Sequence, residues 1–408
     1  MIEIFILIVF GTLLFLIIIG YIIYLDYTSI SPTPVKLQDY GRTGPWIAKY
    51  YNFPPVNENE NPIIAIISVG GSYAYQDLVY YWTEVCGLNT YPKVINAPIN
   101  QERVPIFDGK ETANNLENAM DLEFLGSIAW NSTIVFVSVP DTTENIYSGF
   151  EAAINGVTVD GVFYQPTIIS ASITTPEYFV SKYEMFRLNK LFEIATKKGI
   201  VVCVATGDAG ASELYTDNNM PNVNFPASSP FVLACGGTTI LPDLTEVAWS
   251  WDGKAGANSG ASDFFEMPNY QIGIANFPKT NPRLEFLENK RVIPDVSLNA
   301  DSEKSAYTVY MAGKLYFNRL AGTSAVAPIM AGYLGIVNLP YKRHFNEILY
   351  EIYREEGSRC FKDITTGSND NLPNIEGAWT AGIGFDYLTG MGSIHGKNLY
   401  EALKRKVE

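Results

Sequence analysis

Apolar residues fall along this chain in three patterns: one long unbroken run, several short unbroken runs, and stretches with helical periodicity. The long run comes first. Residues 5–25, FILIVFGTLLFLIIIGYIIYL, carry no charge, and 21 helical residues cover roughly 30 Å, the hydrocarbon thickness of a bilayer. They predict one transmembrane helix within residues 1–26. A cleaved signal peptide fits less well, because the run is too long, no basic residue precedes it and no Ala-x-Ala site follows. The first basic residues, Lys36, Arg42 and Lys49, all follow the run and are too few and distant to set its orientation. Residues 27–44, with their Pro and Ser, read as a tether, and 45–408 as a single domain.

Within that domain the short runs are PIIAIISVGG (62–71), STIVFVSVP (132–140), PTIISASI (166–173), GIVVCVATGD (199–208) and PFVLACGG (230–237). Unbroken apolar runs of this length are strands buried on both faces. Helix-like stretches, 179–198 among them, separate several of them. Strand alternating with helix predicts an α/β fold: a doubly wound, mainly parallel sheet with helices on both faces. Function in such sheets gathers at the carboxyl ends of strands, which is where GIVVCVATGD places Asp208.

Charge and cysteine usage narrow the partners. A net charge of −15 argues against nucleic acid, which needs clustered Lys and Arg. Cys86, Cys203, Cys235 and Cys360 form no Cys-x-x-Cys pair, which removes the common zinc and thioredoxin arrangements. Cys203, inside an apolar strand, reads as a buried free thiol. An even count also permits disulfides on an exoplasmic domain. The one sequon is Asn131-Ser132-Thr133.

Ser324, in NRLAGTSAVAPIMAGYLG (318–335), follows Gly-Thr and opens an apolar helix-like run, the setting of a nucleophile that needs a proton acceptor. The only histidines, His344 and His395, come after it, which excludes the Asp-His-Ser order, and no Gly-x-Ser-x-Gly elbow surrounds it. The acceptor is therefore a carboxylate or a lysine. In 111–128, ETANNLENAMDLEFLGSI, helical spacing at about 100° per residue puts Ala113, Leu116, Met120, Phe124 and Ile128 on one face. Glu117 falls within that arc, and Asp121 lies one turn on. Two adjacent carboxyls facing a core tend to share a proton, so one can act as a base. Glu123, on the other flank, reads as a solvated or capping charge.

These residues, in this order, resemble the sedolisins, or serine-carboxyl peptidases, a family of subtilisin-like fold. The resemblance runs from PWIAKYYNFP at 45 to the C-terminus. It includes Glu117-x-x-x-Asp121, Thr206-Gly207-Asp208, NFPASSPFVLACGGT (224–238), RVIPDVSLNAD (291–301) and Gly322-Thr-Ser-Ala-x-x-Pro328. It implies Ser324 as nucleophile, Glu117 as general base, Asp121 as the residue orienting Glu117, and Asp208 in the oxyanion hole with the Ser324 N–H. A carboxyl donates to an oxyanion only while protonated, so work at acidic pH is expected. FKDITTG (361–367) and WTAGIGFDYLTGMGS (379–393) resemble the family's calcium site. They imply one structural Ca2+ held by Asp363, Asp386 and the carbonyls of Ile364, Gly382 and Gly384, an all-oxygen set suited to a hard cation.

Three features depart from the family, two of them single positions. Ser68 stands where many members have Glu, and Ile173 where they have Trp, a pair that in those relatives contact each other beside the triad. The sequence resembling the mature start also follows the tether directly, with no room for the usual prosegment. The expectation is thus a membrane-attached peptidase acting on proteins or peptides in an acidic lumenal or extracellular space. The alternative is a catalytically idle scaffold of the same fold that binds peptides or a partner.

Overall fold

A computed structural model describes residues 41–213, 220–251, 255–275, 282–369 and 379–407. The run 5–25 and the tether up to residue 40 lie outside the described residues. Among those described, no helix is long and apolar enough to cross a membrane.

The core is an eight-stranded sheet of β1 (Ile63–Val69), β2 (Lys93–Pro98), β3 (Thr133–Val139), β4 (Ile168–Ala171), β5 (Val201–Ala205), β6 (Leu233–Ile240), β7 (Glu246–Ala248) and β8 (Val296–Asn299). The order is β7-β6-β5-β4-β1-β3-β2, with β8 also paired to β6, and every pairing is parallel except β6 with β7. All five predicted runs became strands of this sheet. Their unbroken apolarity has a direct cause, since each strand feeds two cores. Ile64 and Ile66 of β1 point into one, Ala65 and Ile67 into the other; Val201, Cys203 and Ala205 of β5 likewise oppose Val202 and Val204.

The larger core is covered by α1 (Gly44–Tyr50), α2 (Ala113–Ile128), α5 (Thr323–Val337), α6 (Phe345–Cys360) and α7 (Gly396–Val407). The smaller is covered by α3 (Thr143–Asn155) and α4 (Lys182–Lys197). The helix expected over 179–198 starts later, because Ser181 caps it in a reciprocal capping box with Glu184. Helix α2 begins after Thr112, whose side chain accepts from Asn115 N–H.

Two glycines let α5 lie against α2 and the sheet. A Cβ at Gly332 would stand 3.0 Å from Ile128 Cγ2, and one at Gly335 would stand 2.6 Å from Ile64 Cδ1. This close approach brings the start of α5 beside α2. The hairpin β9 (Tyr307–Met311) and β10 (Lys314–Leu320) feeds directly into α5.

Two boundaries differ from expectation. Arg42 already bridges to Tyr307, and Thr308 N–H donates to its carbonyl at 3.1 Å, so the ordered fold takes in residues assigned to the tether. Helix α1 is also tied in firmly. Tyr51 Oη donates to Glu246 at 2.8 Å and accepts from Asn299 N–H at 2.8 Å, while Gly396 and Lys397 N–H donate to the carbonyls of Tyr51 and Asn52. Glu123 is not solvated: it is fully buried, and both its oxygens accept from Tyr310 N–H in β9 at 3.1–3.2 Å. All four cysteines are free thiols. The Asn131 amide donates to the carbonyls of Asn57 and Glu60, and a glycan on that nitrogen would remove one of these two donors.

Candidate active site

Three elements converge at the carboxyl end of the sheet: α2, the end of β5, and the start of α5. Ser324 is the second residue of α5 and partly exposed, with buried Thr323 and Ala325 on either side. The turn into the helix needs glycine at 322. Its φ is +96°, and a Cβ there would run into the Asp208 carboxylate.

Asp208 and the helix start are locked together. Thr323 N–H and Oγ1 donate to Asp208 Oδ1 at 2.8 and 2.9 Å, and Thr323 Oγ1 accepts from Gly207 N–H at 2.8 Å. One Asp208 oxygen is thus occupied, leaving Oδ2 on the side of Gly322. Burial raises the Asp208 carboxyl above its ordinary value, against the pull of the two Thr323 bonds. Ser324 N–H lies in the first helical turn, where no intrahelical carbonyl is available to it. A carboxyl that burial biases toward its protonated form, together with the Ser324 N–H, makes a suitable oxyanion site.

On the other side of Ser324 lies Glu117. Burial raises its carboxyl to about 7; the hydroxyls of Ser324 and Ser172 pull it down, and the charge of Asp208 pushes it up. Its Oε1 is sealed from solvent and has no hydrogen-bond partner among the described residues. Asp121, only 2% exposed, is driven well above the ordinary carboxylate range by burial and then by Glu117. Burial and the Glu117 charge thus both work against ionising the two carboxyls together. Residues 117, 121, 208 and 324, chosen from sequence, are brought together at one site.

The positions that depart from the family pattern are not left bare. Ser68 Oγ donates to Asn118 Oδ1 at 2.6 Å, next to Glu117, and Asn118 Nδ2 in turn reaches the carbonyl of Gly70. Ile173 packs with the smaller core.

Sequence reasoning missed three residues. Thr323, read only as part of a motif, is the bolt between Asp208 and α5. Ser172, at the end of β4, places its Oγ 3.0 Å from Asp121 Oδ1 and 2.9 Å from the Ser324 carbonyl. Glu213, buried at φ +49°, accepts from Ala209 N–H, and burial raises its carboxyl to about 8. Its distance from the triad residues in sequence and its polar-looking surroundings give no signal of this.

The proposed cation residues gather elsewhere, where Phe361–Lys362 pairs with Ser393–Ile394. Gly382 N–H donates to Asp386 and Gly384 N–H to Asp363, so both carboxylates lie against the same short turn, and both charges act on the Tyr353 hydroxyl. Among the described residues neither is in an ion pair, and the carbonyls of Ile364, Gly382 and Gly384 accept no hydrogen bond. Asp386 is held by the N–H groups of Gly382, Leu388 and Thr389, and Asp363 by that of Gly384. Two fixed carboxylates beside unclaimed carbonyls fit a hard cation.

The subtilase family profile matches residues 109–344. Kumamolisin of Bacillus sp. (strain MN-32) is 31% identical over 367 residues, covering 88% of this chain and 62% of its own length. Tripeptidyl-peptidase 1 of Canis lupus familiaris is 27% identical over 304 residues, covering 71% of this chain and 52% of its own. The chain thus spans roughly half to three fifths of these relatives. Among solved structures, Pseudomonas sedolisin, a serine-carboxyl proteinase complexed with pseudo-iodotyrostatin, superimposes with a TM-score of 0.74. Its identity is 22%, and the match covers 90% of this chain and 99% of that one.

Proposed function

This chain belongs to the subtilase family, in its sedolisin branch, and on that premise we propose that it is a serine peptidase using Ser324, Glu117 and Asp121. The observation that carries the reading is the Glu117–Asp121 pair beside Ser324, with Asp121 buried, Glu117 Oε1 sealed from solvent, and Asp208 close enough for its charge to act on Glu117. Ser324 Oγ attacks the peptide carbonyl carbon and passes its proton to Glu117. The oxyanion is held by protonated Asp208 and Ser324 N–H. Glu117 then gives the proton to the leaving amine, and water, deprotonated by the same carboxylate, hydrolyses the acyl-enzyme.

The protonation requirements are opposite. Glu117 must be ionised and Asp208 must not be, so activity rises as the pair loses a proton and falls as Asp208 loses its own. With Glu117 raised to about 7, the rising limb lies far above that of an ordinary carboxylate. We place the optimum at the weakly acidic end of the range expected from sequence. One calcium ion held by Asp363, Asp386 and the carbonyls of Ile364, Gly382 and Gly384 would brace the C-terminal loops. Residues 5–25 would tether the peptidase to a membrane.

The test is hydrolysis of an unfolded protein by the full chain in mild detergent with calcium, from about pH 3 to about pH 8, beside Ser324→Ala and Glu117→Gln. Activity lost in both variants supports the reading. Activity surviving Ser324→Ala overturns it, and a folded, inactive wild type would favour a peptide-binding scaffold.

A further inference from the structure

Ser172 has one hydroxyl proton and two claims on it: the acid pair, where Asp121 Oδ1 lies at 3.0 Å and Glu117 also feels the hydroxyl, and the Ser324 carbonyl at 2.9 Å. A serine hydroxyl donates one hydrogen bond at a time. Both acceptors have a strong claim. The Ser324 carbonyl would ordinarily accept from the N–H four residues on, but that residue is Pro328, inside α5, which has none. Asp121 is buried, and a buried carboxylate needs donors whenever it bears charge.

We propose that Ser172 is a positioning residue whose hydroxyl turns with the charge of the acid pair. It donates to Asp121 while the pair is anionic, and to the Ser324 carbonyl once the pair has taken up the nucleophile's proton. The inference rests on Glu117 being the base.

Before attack, Glu117 and Asp121 share one proton and carry one negative charge. During attack the Ser324 O–H bond breaks and its proton forms an O–H bond on Glu117. The oxygen's electron pair bonds the substrate carbonyl carbon, whose π pair moves to its oxygen. The acid pair is then neutral, Asp121 Oδ1 is a weaker acceptor, and the Ser172 hydroxyl swings to the Ser324 carbonyl. The first turn of α5 gains its missing hydrogen bond at the moment the oxyanion leans on Ser324 N–H. When Glu117 hands the proton to the leaving amine, the hydroxyl turns back.

Few other charges bear on this exchange. Glu117 and Asp121 face it from α2, and Asp208 acts through Glu117 from the end of β5. Residues 323–328 of α5, 168–176 of β4 and its following loop, and 63–69 of β1 contain no titratable group.

The test is the pH dependence of kcat/KM for the full chain with Ser172 replaced by Ala, Cys or Thr. In Ser172→Ala the anionic pair loses a charge-assisted bond, so its protonation becomes easier and the acid limb moves up by about one pH unit. Ser172→Thr keeps the hydroxyl and is expected to hold the wild-type limb; Ser172→Cys, a weaker donor, is expected to lie between. An acid limb unmoved in Ala, with the rate lowered equally at every pH, would overturn the proposal and leave Ser172 a packing residue. Equal shifts in Ala and Thr would overturn it too, and if Ala fails to fold, the comparison of Cys with Thr decides. Wild type that is inactive, or Ser324→Ala that is active, refutes the peptidase reading instead, so the two failures are distinct.

Discussion

Replacing Thr323 by Val changes shape little and removes one oxygen, yet that oxygen has two jobs. It accepts from buried Gly207 N–H at 2.8 Å and donates to Asp208 Oδ1 at 2.9 Å. Leaving a buried N–H without a partner costs about 1–3 kcal/mol. Unfolding in urea, measured on a Ser324→Ala background to prevent self-digestion, should show a loss of that size. The second effect is electrostatic. The Thr323 hydroxyl stabilises ionised Asp208, so removing it pushes the Asp208 carboxyl further up. A hydrogen bond to a charged group is worth about 1.5–3 kcal/mol, or roughly one to two pH units, and the surviving Thr323 N–H bond favours the lower figure. The alkaline limb of kcat/KM should therefore move up by about one unit, because Asp208 keeps its oxyanion-donating proton to higher pH. Stability falls while the active range widens. An alkaline limb that stays in place, or moves down, would refute the assignment of Asp208 as a protonated oxyanion donor.

Two further outcomes follow from burial and donor chemistry. Glu123 is fully buried with its carboxyl driven well above the usual range, so the folded state binds its proton more tightly than the unfolded state does. The stability this gives is present below the unfolded value and is lost as pH rises through the folded one. Glu123→Gln keeps an acceptor for Tyr310 N–H and should raise Tm near neutrality but not near pH 4; a Tm difference independent of pH would contradict this. Chelation of calcium should lower Tm and expose the 379–393 loops to a second protease, and Asp386→Asn should abolish the difference between chelated and calcium-loaded protein.

The central strands were legible because burial on both faces leaves an unbroken apolar signature. Strand β2 was not, since KVINAP has only Val94, Ile95 and Ala97 to offer and ends at proline. The triad carboxylates could be found from one helix because 117 and 121 are one turn apart. Glu123 was misjudged for a related reason. Periodicity marks one apolar face, whereas α2 is buried almost all round, between the sheet, α5 and hairpin β9–β10. The hydrogen-bond partners of the site were invisible: Ser172 lies 152 residues before Ser324, and Thr323 lies 115 after Asp208. Contacts of that span depend on sheet order, which no local pattern encodes.

The ties of α1 bear on how this domain can be made. Its entry helix closes the structure where the chain's last helix begins, with Gly396 and Lys397 hydrogen-bonded to Tyr51 and Asn52. A shortened version starting after residue 52 would strip Glu246 and the Asn299 N–H of the Tyr51 hydroxyl and uncover the seat of α7. Such a product should aggregate, whereas one beginning ahead of Gly41 keeps α1 and α7 sewn into the same seam.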